Sequence, residues 1–308
     1  MKALAITEFN AAPGFHEVAD PKPGDGEVLV NVEYASINGM DLMTWLGWIQ
    51  GAMPYTFPIT LGRDFSGTVA SVGAGVTDLK AGDPVFGLLL SMPLHDGTFA
   101  PQVKVPAMSV AKRAKGLDAK TAGALALAGA AAKIAIDSVA PVAGETVLVC
   151  GATGGVGALA LQMAKLRGAK VIATATAAQA AFVTDLGADQ TVDYSGDLAA
   201  AVRSLHPKGV DIVLHFAGDG VALAALLKSG GRLASTLGVT GEKLNRKDVK
   251  ATPVMTIPSP ALLGELGAAV ASGKLRVPIT KTYALDQVGQ ALKDFSAGAL
   301  GKLAVTVR

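Results

Sequence analysis

The sequence predicts a two-part α/β chain, in which a mainly antiparallel β-domain precedes a doubly wound parallel sheet with helices on both faces. Three observations support this fold class. Short β-rich segments separated by proline and glycine turns fill the first 115 residues. From residue 146 onward, apolar strands alternate with helical segments of about 10–12 residues, the pattern of right-handed βαβ units. Four glycines within residues 151–157 separate the first of these strands from the first helix.

The N-terminal part has the pattern of an antiparallel β-barrel or sandwich. Proline and glycine turns such as residues 21–26 separate its predicted strands, which are "LAITEF", "EVLVNVEYASI", "FSGTVASVGAGV" and "DPVFG". An alanine-rich helical stretch from Asp118 to Ala140 then leads into the second part.

The second part is predicted to form a parallel sheet. Its strands are expected at residues 146–150, 170–176, 190–194, 210–218 and 232–238, with a further strand at 253–257. Helices are expected between them at residues 156–166, 177–188, 196–205 and 221–231. Beyond the sheet we predict amphipathic helices at 258–275 and 283–295, and a final strand at 301–308 that returns to the first domain.

The stretch "GATGGVG" carries the clearest functional signal. A strand, a glycine turn and a helix together direct free backbone N–H groups and a helix N-terminus at a phosphate. The spacing is Gly151-x-x-Gly154-x-x-Gly157, with Gly155 in addition. In such a turn Gly154 and Gly155 let the backbone approach a pyrophosphate, and Gly157 lets the helix pack closely on the strand. The sequence therefore predicts a dinucleotide site.

The end of the second strand indicates which dinucleotide is preferred. An acidic residue about 20 residues after the glycines normally binds the ribose 2′-hydroxyl of NAD. Here the segment from Ala173 to Thr176 has no acid, which permits the 2′-phosphate of NADP. No arginine or lysine replaces the acid, so we expect a modest preference for NADPH and do not exclude NADH.

Composition excludes several classes of function. The net charge is +2 without a basic cluster, so neither nucleic acid nor a membrane surface is an expected partner. The longest apolar stretch, residues 122–132, is too short to span a bilayer. The opening "MKALAITEF" enters a strand without a signal-peptide pattern, and Cys150 is the single cysteine. These features favour a cytoplasmic enzyme in which Cys150 is an inert packing thiol.

Motifs along the whole chain resemble the zinc-free quinone oxidoreductase branch of the medium-chain dehydrogenase/reductase superfamily. They occur in the family's order: "ASINGMDL", "PITLGRDFSGTVASVGAGVTDLKAGDPVFG", "DGTFA", "ALALAGAAA", "GATGGVGALALQMAK", "KSGGRL" and "GKLAVTV". The resemblance implies a GroES-like β-barrel catalytic domain over residues 1–116 and 272–308. It also implies a Rossmann NAD(P)-binding domain over residues 117–271, and a homodimer.

Zinc ligands distinguish the branches of this family. Where the zinc-dependent branch has its ligands, this chain has Asn38, Gly39 and Met40, followed by Gly62-Arg63-Asp64. Catalytic zinc needs three protein ligands in one tetrahedral site, and the four histidines are scattered. The sequence therefore predicts no zinc site, and we interpret Arg63 and Asp64 as a buried ion pair.

Without a metal, the implied reaction is hydride delivery from NADPH to a small hydrophobic acceptor, either a quinone or an α,β-unsaturated carbonyl. Asn38 and Asp41 match the family's Asn-x-x-Asp pair. Asn38 would donate a hydrogen bond to the carbonyl oxygen as enolate charge develops. Asp41 would orient Asn38, or simply serve as a first-turn acid of a helix.

Large apolar residues within and after this pair are candidates for the substrate pocket, or alternatively for ordinary packing. They are Met40, Trp45, Trp48 and Tyr55, and Tyr55 is also the nearest candidate proton donor. The resemblance assigns cofactor binding to Gly154, Gly155, Val156, Gly157, Thr174, Thr176, Tyr194, Ala217, Leu237 and Gly238. Where the family often has a basic residue near the adenosine phosphate, this chain has Ala180.

Two other functions stay open from the sequence. One is an enoyl-thioester reductase of a biosynthetic pathway, which would need a basic patch to hold a carrier phosphate. The other is a nucleotide-binding protein without turnover, acting as a structural or sensing module, since fold alone does not determine function.

Overall fold

The computed structural model of the chain describes residues 1–90 and 92–308. The strands are β1 (Lys2–Ile6), β2 (Gly14–Glu17), β3 (Glu27–Ser36), β4 (Ile59–Thr60), β5 (Asp64–Val72), β6 (Pro84–Leu88), β7 (Gln102–Pro106), β8 (Val110–Lys112), β9 (Thr146–Cys150), β10 (Lys170–Thr174), β11 (Gln190–Val192), β12 (Val210–His215), β13 (Leu227–Ser235), β14 (Lys250–Pro253), β15 (Ile279–Ala284) and β16 (Lys302–Thr306). The helices are α1 (Gly39–Trp45), α2 (Ala119–Gly123), α3 (Ala126–Val139), α4 (Gly155–Leu166), α5 (Ala180–Asp185), α6 (Leu198–Leu205), α7 (Gly220–Ala224), α8 (Pro260–Ala271) and α9 (Val288–Ser296).

The chain divides into two compact units. The first unit comprises Met1–Leu127 and Ile257–Arg308, and the second comprises Ala128–Thr256. These bounds differ from the expected 1–116 with 272–308 and 117–271, chiefly because helix α8 lies in the first unit. Leu263 and Leu266 of this helix are buried, and a Cβ on Gly267 would come within 3.2 Å of the Phe86 ring in β6. The helix thus packs against the β-domain.

The first unit is built on two mainly antiparallel sheets. One sheet has the order β15-β16-β3-β5-β6-β8, with β7 also paired to β3, and the other has the order β2-β1-β4. Strand β16 pairs antiparallel with β3, so that Ala304 lies opposite Ser36. The C-terminal strand therefore returns to the first domain, as predicted.

The segment 283–295, predicted as one helix, is divided between a strand and a helix. Tyr283 belongs to β15, where it pairs with Val305, and helix α9 begins only at Val288. The Tyr283 side chain is buried in the core of the first unit. Sheet pairing and burial of this aromatic ring outweigh the local helical pattern.

The second unit contains a parallel six-stranded sheet with the order β11-β10-β9-β12-β13-β14. Counted along the chain, this is the order 3-2-1-4-5-6 of the doubly wound dinucleotide-binding fold. The strand order reverses between β9 and β12, and all of β9 is buried. The predicted α/β fold class is confirmed.

Two elements of the second unit were predicted wrongly. The helix expected at 221–231 ends at Ala224, because residues from Leu227 onward join β13, where Leu227 pairs with Val210. The sixth strand covers Lys250–Pro253 and not 253–257, because β13 ends at Ser235, opposite Pro253. Beyond Pro253, the Val254 N–H still donates to the carbonyl of Ser235, the last residue of β13, at 2.7 Å.

No helix within the described part of the chain is long and apolar enough to cross a membrane.

Candidate functional site

The glycine turn of the second unit follows the central strand β9. Gly151 has a φ of +82°, a conformation that favours glycine. A Cβ on Gly157 would lie 2.1 Å from the carbonyl oxygen of Gly151, so only glycine permits this contact between helix and turn. The turn thus brings the N-terminus of α4 directly to the end of β9.

This turn fits the pyrophosphate of a dinucleotide. Gly154 is the N-cap of α4 and provides no side-chain hydrogen bond to the first-turn N–H groups. A Cβ built on Gly154 would meet the Gly151 carbonyl oxygen at an ordinary contact distance of 3.5 Å, so the backbone there is not crowded by protein atoms. Uncapped N–H groups and the positive end of the helix dipole favour an anion at this point.

Thr174 supports the turn from the neighbouring strand. Its hydroxyl accepts a hydrogen bond from the Gly151 N–H at 3.0 Å and donates one to the Val149 carbonyl at 3.3 Å. The side chain is buried, whereas Thr176, two residues further on, is partly exposed. Of these two predicted cofactor residues, Thr176 is therefore the one more accessible to a ligand.

The other predicted cofactor residues lie at the same edge of the sheet. Tyr194 follows β11 and is exposed, and Ala217 follows β12, with its Cβ 3.1 Å from the Cβ position of Gly151. Leu237 and Gly238 follow β13, and Leu237 is 53% exposed. Since ligands of open parallel sheets bind outside the carboxyl ends of the strands, this edge is the candidate cofactor site.

A second candidate site is a buried charge cluster in the first unit, formed by Asn38, Asp41, Arg63, Asp64 and Lys302. Asn38 is only 6% exposed. Its Nδ2 donates to Asp64 Oδ2 at 3.0 Å and to the Ser36 carbonyl at 3.3 Å. Its Oδ1 accepts from the Lys302 ammonium at 2.7 Å. Because an ammonium group can only donate, Lys302 fixes which end of the amide faces it.

Lys302 is the cationic partner of Asp64, which corrects the predicted pairing with Arg63. The Lys302 Nζ lies 3.3 Å from Asp64 Oδ2 and also donates to the Ile37 carbonyl at 3.1 Å. Burial lowers the pKa of Lys302, and the nearby Asp64 charge opposes that shift. Asp64 further accepts from the Ser36 hydroxyl at 2.6 Å and the Leu127 N–H at 2.7 Å. The buried carboxylate is thereby fully hydrogen-bonded.

Asp41 joins helix α1 to the glycine before β5. Its two carboxyl oxygens accept from the Asn38 N–H at 2.9 Å and the Gly62 N–H at 2.8 Å. Burial raises the pKa of Asp41 to about 6, although the Arg63 charge acts in the opposite direction. Arg63 is itself buried, and its Nη1 donates to the Asp96 carbonyl at 3.0 Å. Asp41 is thus both a first-turn acid and the residue that holds the Asn38 backbone.

The four predicted pocket residues all lie in the first unit but differ in environment. Trp45 donates from Nε1 to the Ala11 carbonyl at 2.7 Å, and Met40 packs against the hydrophobic core. The Tyr55 ring packs edge-on against Phe9, with centroids 4.9 Å apart. Trp48 is 65% exposed. Packing therefore accounts for Trp45 and Tyr55 without a ligand, whereas Trp48 lacks such burial.

Within residues 1–90 and 92–308, no three histidine, cysteine, aspartate or glutamate side chains are placed to hold a metal ion together. At the positions that match the zinc ligands, the Asn38 and Asp64 oxygens bind the Lys302 ammonium.

Sequence reasoning missed Lys302 and His215. Lys302 was identifiable as an isolated lysine at the head of an otherwise apolar strand, where burial requires a partner. His215 ends an apolar strand in the same way, and its ring lies 2.9 Å from the Ser235 hydroxyl. Both contacts join residues far apart in the chain, so spacing alone could not pair them.

Comparisons with known proteins agree with these features. The chain matches the Alcohol dehydrogenase GroES-like domain family over residues 24–115 and the Zinc-binding dehydrogenase family over residues 186–305. It is 31% identical to the chloroplast envelope quinone oxidoreductase homolog of Arabidopsis thaliana, covering 94% of this chain and 92% of the relative. It is 29% identical to the 2-methylene-furan-3-one reductase of Solanum lycopersicum, covering 99% of this chain and 79% of the relative.

A solved structure extends this likeness to three dimensions. The quinone oxidoreductase from Coxiella burnetii superposes with a TM-score of 0.91 at 29% identity, covering 100% of this chain and 99% of that one. This structural match and the sequence matches agree with two features of the fold. The β-domain is formed from both ends of the chain, and the parallel sheet carries the glycine turn. The chain belongs to the medium-chain dehydrogenase/reductase superfamily, in its quinone oxidoreductase branch.

Proposed function

We propose that this oxidoreductase delivers a hydride from NADPH, or less favourably NADH, to a quinone or an α,β-unsaturated carbonyl without using zinc. One observation carries the zinc-independent part of the proposal. The Asn38 and Asp64 oxygens, at positions that match metal ligands, already bind the Lys302 ammonium. Relatives named for quinone and furanone reduction support the choice of acceptor.

The residues of this chain would share the work as follows. The N–H groups of the glycine turn hold the cofactor pyrophosphate, and a bound reduced nicotinamide supplies the hydride. Asn38 donates to the acceptor oxygen by exchanging its long 3.3 Å bond to the Ser36 carbonyl for a bond to the substrate. Its stronger bond to Asp64 and the contact with Lys302 keep the amide in place.

Lys302 also strengthens Asn38 as a donor. A cation at Oδ1 draws electron density from the amide, so the Nδ2–H bonds become more polar. As negative charge develops on the acceptor oxygen, that hydrogen bond strengthens, which is the condition for lowering the barrier. Asp41 holds the Asn38 backbone and acts through it as a positioning residue.

The test is the Asn38→Ala variant, measured with an enone and with a quinone. A preorganised donor of this kind contributes roughly 3 kcal/mol to the transition state, so enone turnover should fall by about a hundredfold or more. Quinones accept hydride more readily, so quinone turnover should fall less than enone turnover. NADPH affinity should change little, because Asn38 lies in the first unit and the glycine turn in the second. Asn31→Ala, in strand β3 of the first unit, is the matched control.

The outcome separates the open functions. If turnover falls equally with the enone and with the quinone, Asn38 has a structural role. NADPH oxidation confined to 2-enoyl thioesters would replace the proposal by the enoyl-thioester reductase. No NADPH oxidation by the unmodified protein with any acceptor would favour the non-catalytic binding protein.

A further inference from the structure

His215 ends strand β12 at the point where the order of the parallel sheet reverses. In the sheet it lies between Cys150 at the end of β9 and Ser235 at the end of β13. The glycine turn begins immediately after Cys150. The imidazole is 2% exposed, so its polar atoms depend on protein partners.

The partners determine where the ring proton lies. Nε2 is 3.0 Å from the Gly218 carbonyl, which can only accept, so Nε2 carries the hydrogen. The Ser235 oxygen already accepts from two backbone N–H groups, so its hydroxyl hydrogen is directed at Nδ1, 2.9 Å away. The same serine oxygen accepts from the N–H groups of Leu237 at 3.1 Å and Val239 at 3.3 Å. Every donor in this chain of bonds therefore has an acceptor.

The network connects two loops at the candidate cofactor edge. The first loop, residues 216–219, follows β12, and the second loop, residues 236–239, follows β13. A Cβ on Gly220 would lie 2.6 Å from His215 Cε1, so the ring also fills the space against the start of α7. His215 thus fixes the position of both loops relative to the glycine turn.

We propose that His215 and Ser235 are positioning residues for the nicotinamide half of the cofactor. The proposal rests on the proposed function, in which the glycine turn after β9 holds the pyrophosphate. The adenosine half then lies towards β10 and β11, and the nicotinamide half towards β12 and β13. The second loop presents exposed Leu237 and left-handed Gly238 on that side. His215 acts through this loop and does not touch the reacting atoms.

The test compares two ligands that differ only in the nicotinamide ring. NADPH and 2′-phosphoadenosine 5′-diphosphoribose share the adenosine, pyrophosphate and both riboses. With His215→Leu, we expect NADPH to bind about tenfold more weakly, the effect of losing one or two net hydrogen bonds. The fragment without nicotinamide should bind within about twofold of its affinity for the unmodified protein, because the glycine turn is retained.

Further variants keep the test decisive if His215→Leu does not fold. Ser235→Ala removes the other end of the network and should give the same difference between the ligands. His215→Asn places an amide oxygen where it can accept the Ser235 hydroxyl, and should recover most of the NADPH affinity. His206→Leu is the matched control, because His206 is a partly exposed histidine of the same unit, bonded to Gln190 at 2.9 Å.

Equal weakening of both ligands, or no weakening of either, would overturn the proposal. Because the readout is binding, it does not depend on turnover. A selective loss of NADPH affinity without reduction of any acceptor would reject the proposed function and retain the role of His215. If the unmodified protein reduces an acceptor but His215→Leu does not selectively weaken NADPH binding, the proposed function is retained and the role of His215 is rejected.

Discussion

At the scale of single residues, the Asp41 carboxyl group makes stability depend on pH. Its pKa is raised from 3.8 to about 6 by burial, so the native state retains a proton that the unfolded chain releases. The stability contributed by protonated Asp41 is complete below about pH 4 and is lost as the pH rises through 6. An Asp41→Asn variant has no titrating group at this position and serves as the reference.

We therefore predict that the unmodified protein loses stability relative to Asp41→Asn between pH 4 and pH 7. The change should be on the order of 3 kcal/mol, the free-energy equivalent of about two pKa units. Urea unfolding monitored by tryptophan fluorescence measures it, because both tryptophans, Trp45 and Trp48, lie in the first unit with Asp41. A stability difference that stays constant across this pH range would contradict the burial argument.

We expect single residues to set the choice of cofactor as well. Thr176 is the accessible position beyond β10, whereas Thr174 is buried against the glycine turn. We predict that Thr176→Asp shifts the ratio of NADPH to NADH affinity at least tenfold towards NADH, because a carboxylate accepts from a ribose hydroxyl and repels a 2′-phosphate. Titration of both dinucleotides measures the ratio.

Thr174→Asp is the informative comparison for that prediction. A carboxylate at Thr174 would be buried and would replace the hydroxyl that accepts from Gly151. This variant should therefore bind both dinucleotides more weakly. A tenfold preference of the unmodified protein for NADH would contradict the proposed cofactor.

At the scale of elements, the two glycines Gly157 and Gly264 have opposite roles although both lie in helices. A Cβ on Gly157 would meet the Gly151 carbonyl at 2.1 Å, whereas one on Gly264 would have no atom within 4 Å. Gly157→Ala should therefore distort the turn between β9 and α4 and abolish dinucleotide binding. Gly264→Ala, in α8, should stabilise the protein by about 0.4–1 kcal/mol by restricting the unfolded chain.

Thermal unfolding and NADPH titration of the two variants test this contrast. Retention of NADPH affinity in Gly157→Ala would show that the close contact between helix and turn is dispensable.

The sequence was most informative where local pattern and burial agree. The run Thr146–Cys150 is buried throughout in β9, and the glycines after it form the turn expected from their spacing. Prediction failed where long-range pairing decided the structure. Leu227 joins β13 by pairing with Val210, and Tyr283 joins β15 by pairing with Val305, against their helical patterns. Local periodicity contains no information about those partners.

The candidate site, like the fold, could be predicted from the sequence only in part. Its glycine turn could be recognised from spacing, and Asn38 and Asp41 from a motif. The partner of Asp64 could not be predicted, because Lys302 lies 238 residues away in sequence and reaches Asp64 only through the pairing of β16 with β3.

At the scale of the whole molecule, the chain ends complete the first unit around the buried charge cluster. Strand β16 carries Lys302 to Asn38, two residues beyond the end of β3, so the C-terminal segment helps to form the candidate catalytic site. The central claim is that this protein transfers a hydride from NADPH to an activated acceptor without a metal. An enone is the right acceptor for a direct test, because the β-carbon retains a transferred deuterium.

The decisive measurement follows deuterium from NADPH labelled at C4 of the nicotinamide into an enone, using protein from which metals have been removed by exhaustive chelation. Each hydrogen-bearing face of C4 is labelled in a separate experiment. We predict that mass spectrometry finds one deuterium at the β-carbon of the saturated product for one of the two labels, at a rate unchanged by chelation. A product without deuterium from either label, or activity that is lost on chelation and restored by zinc, would contradict the account.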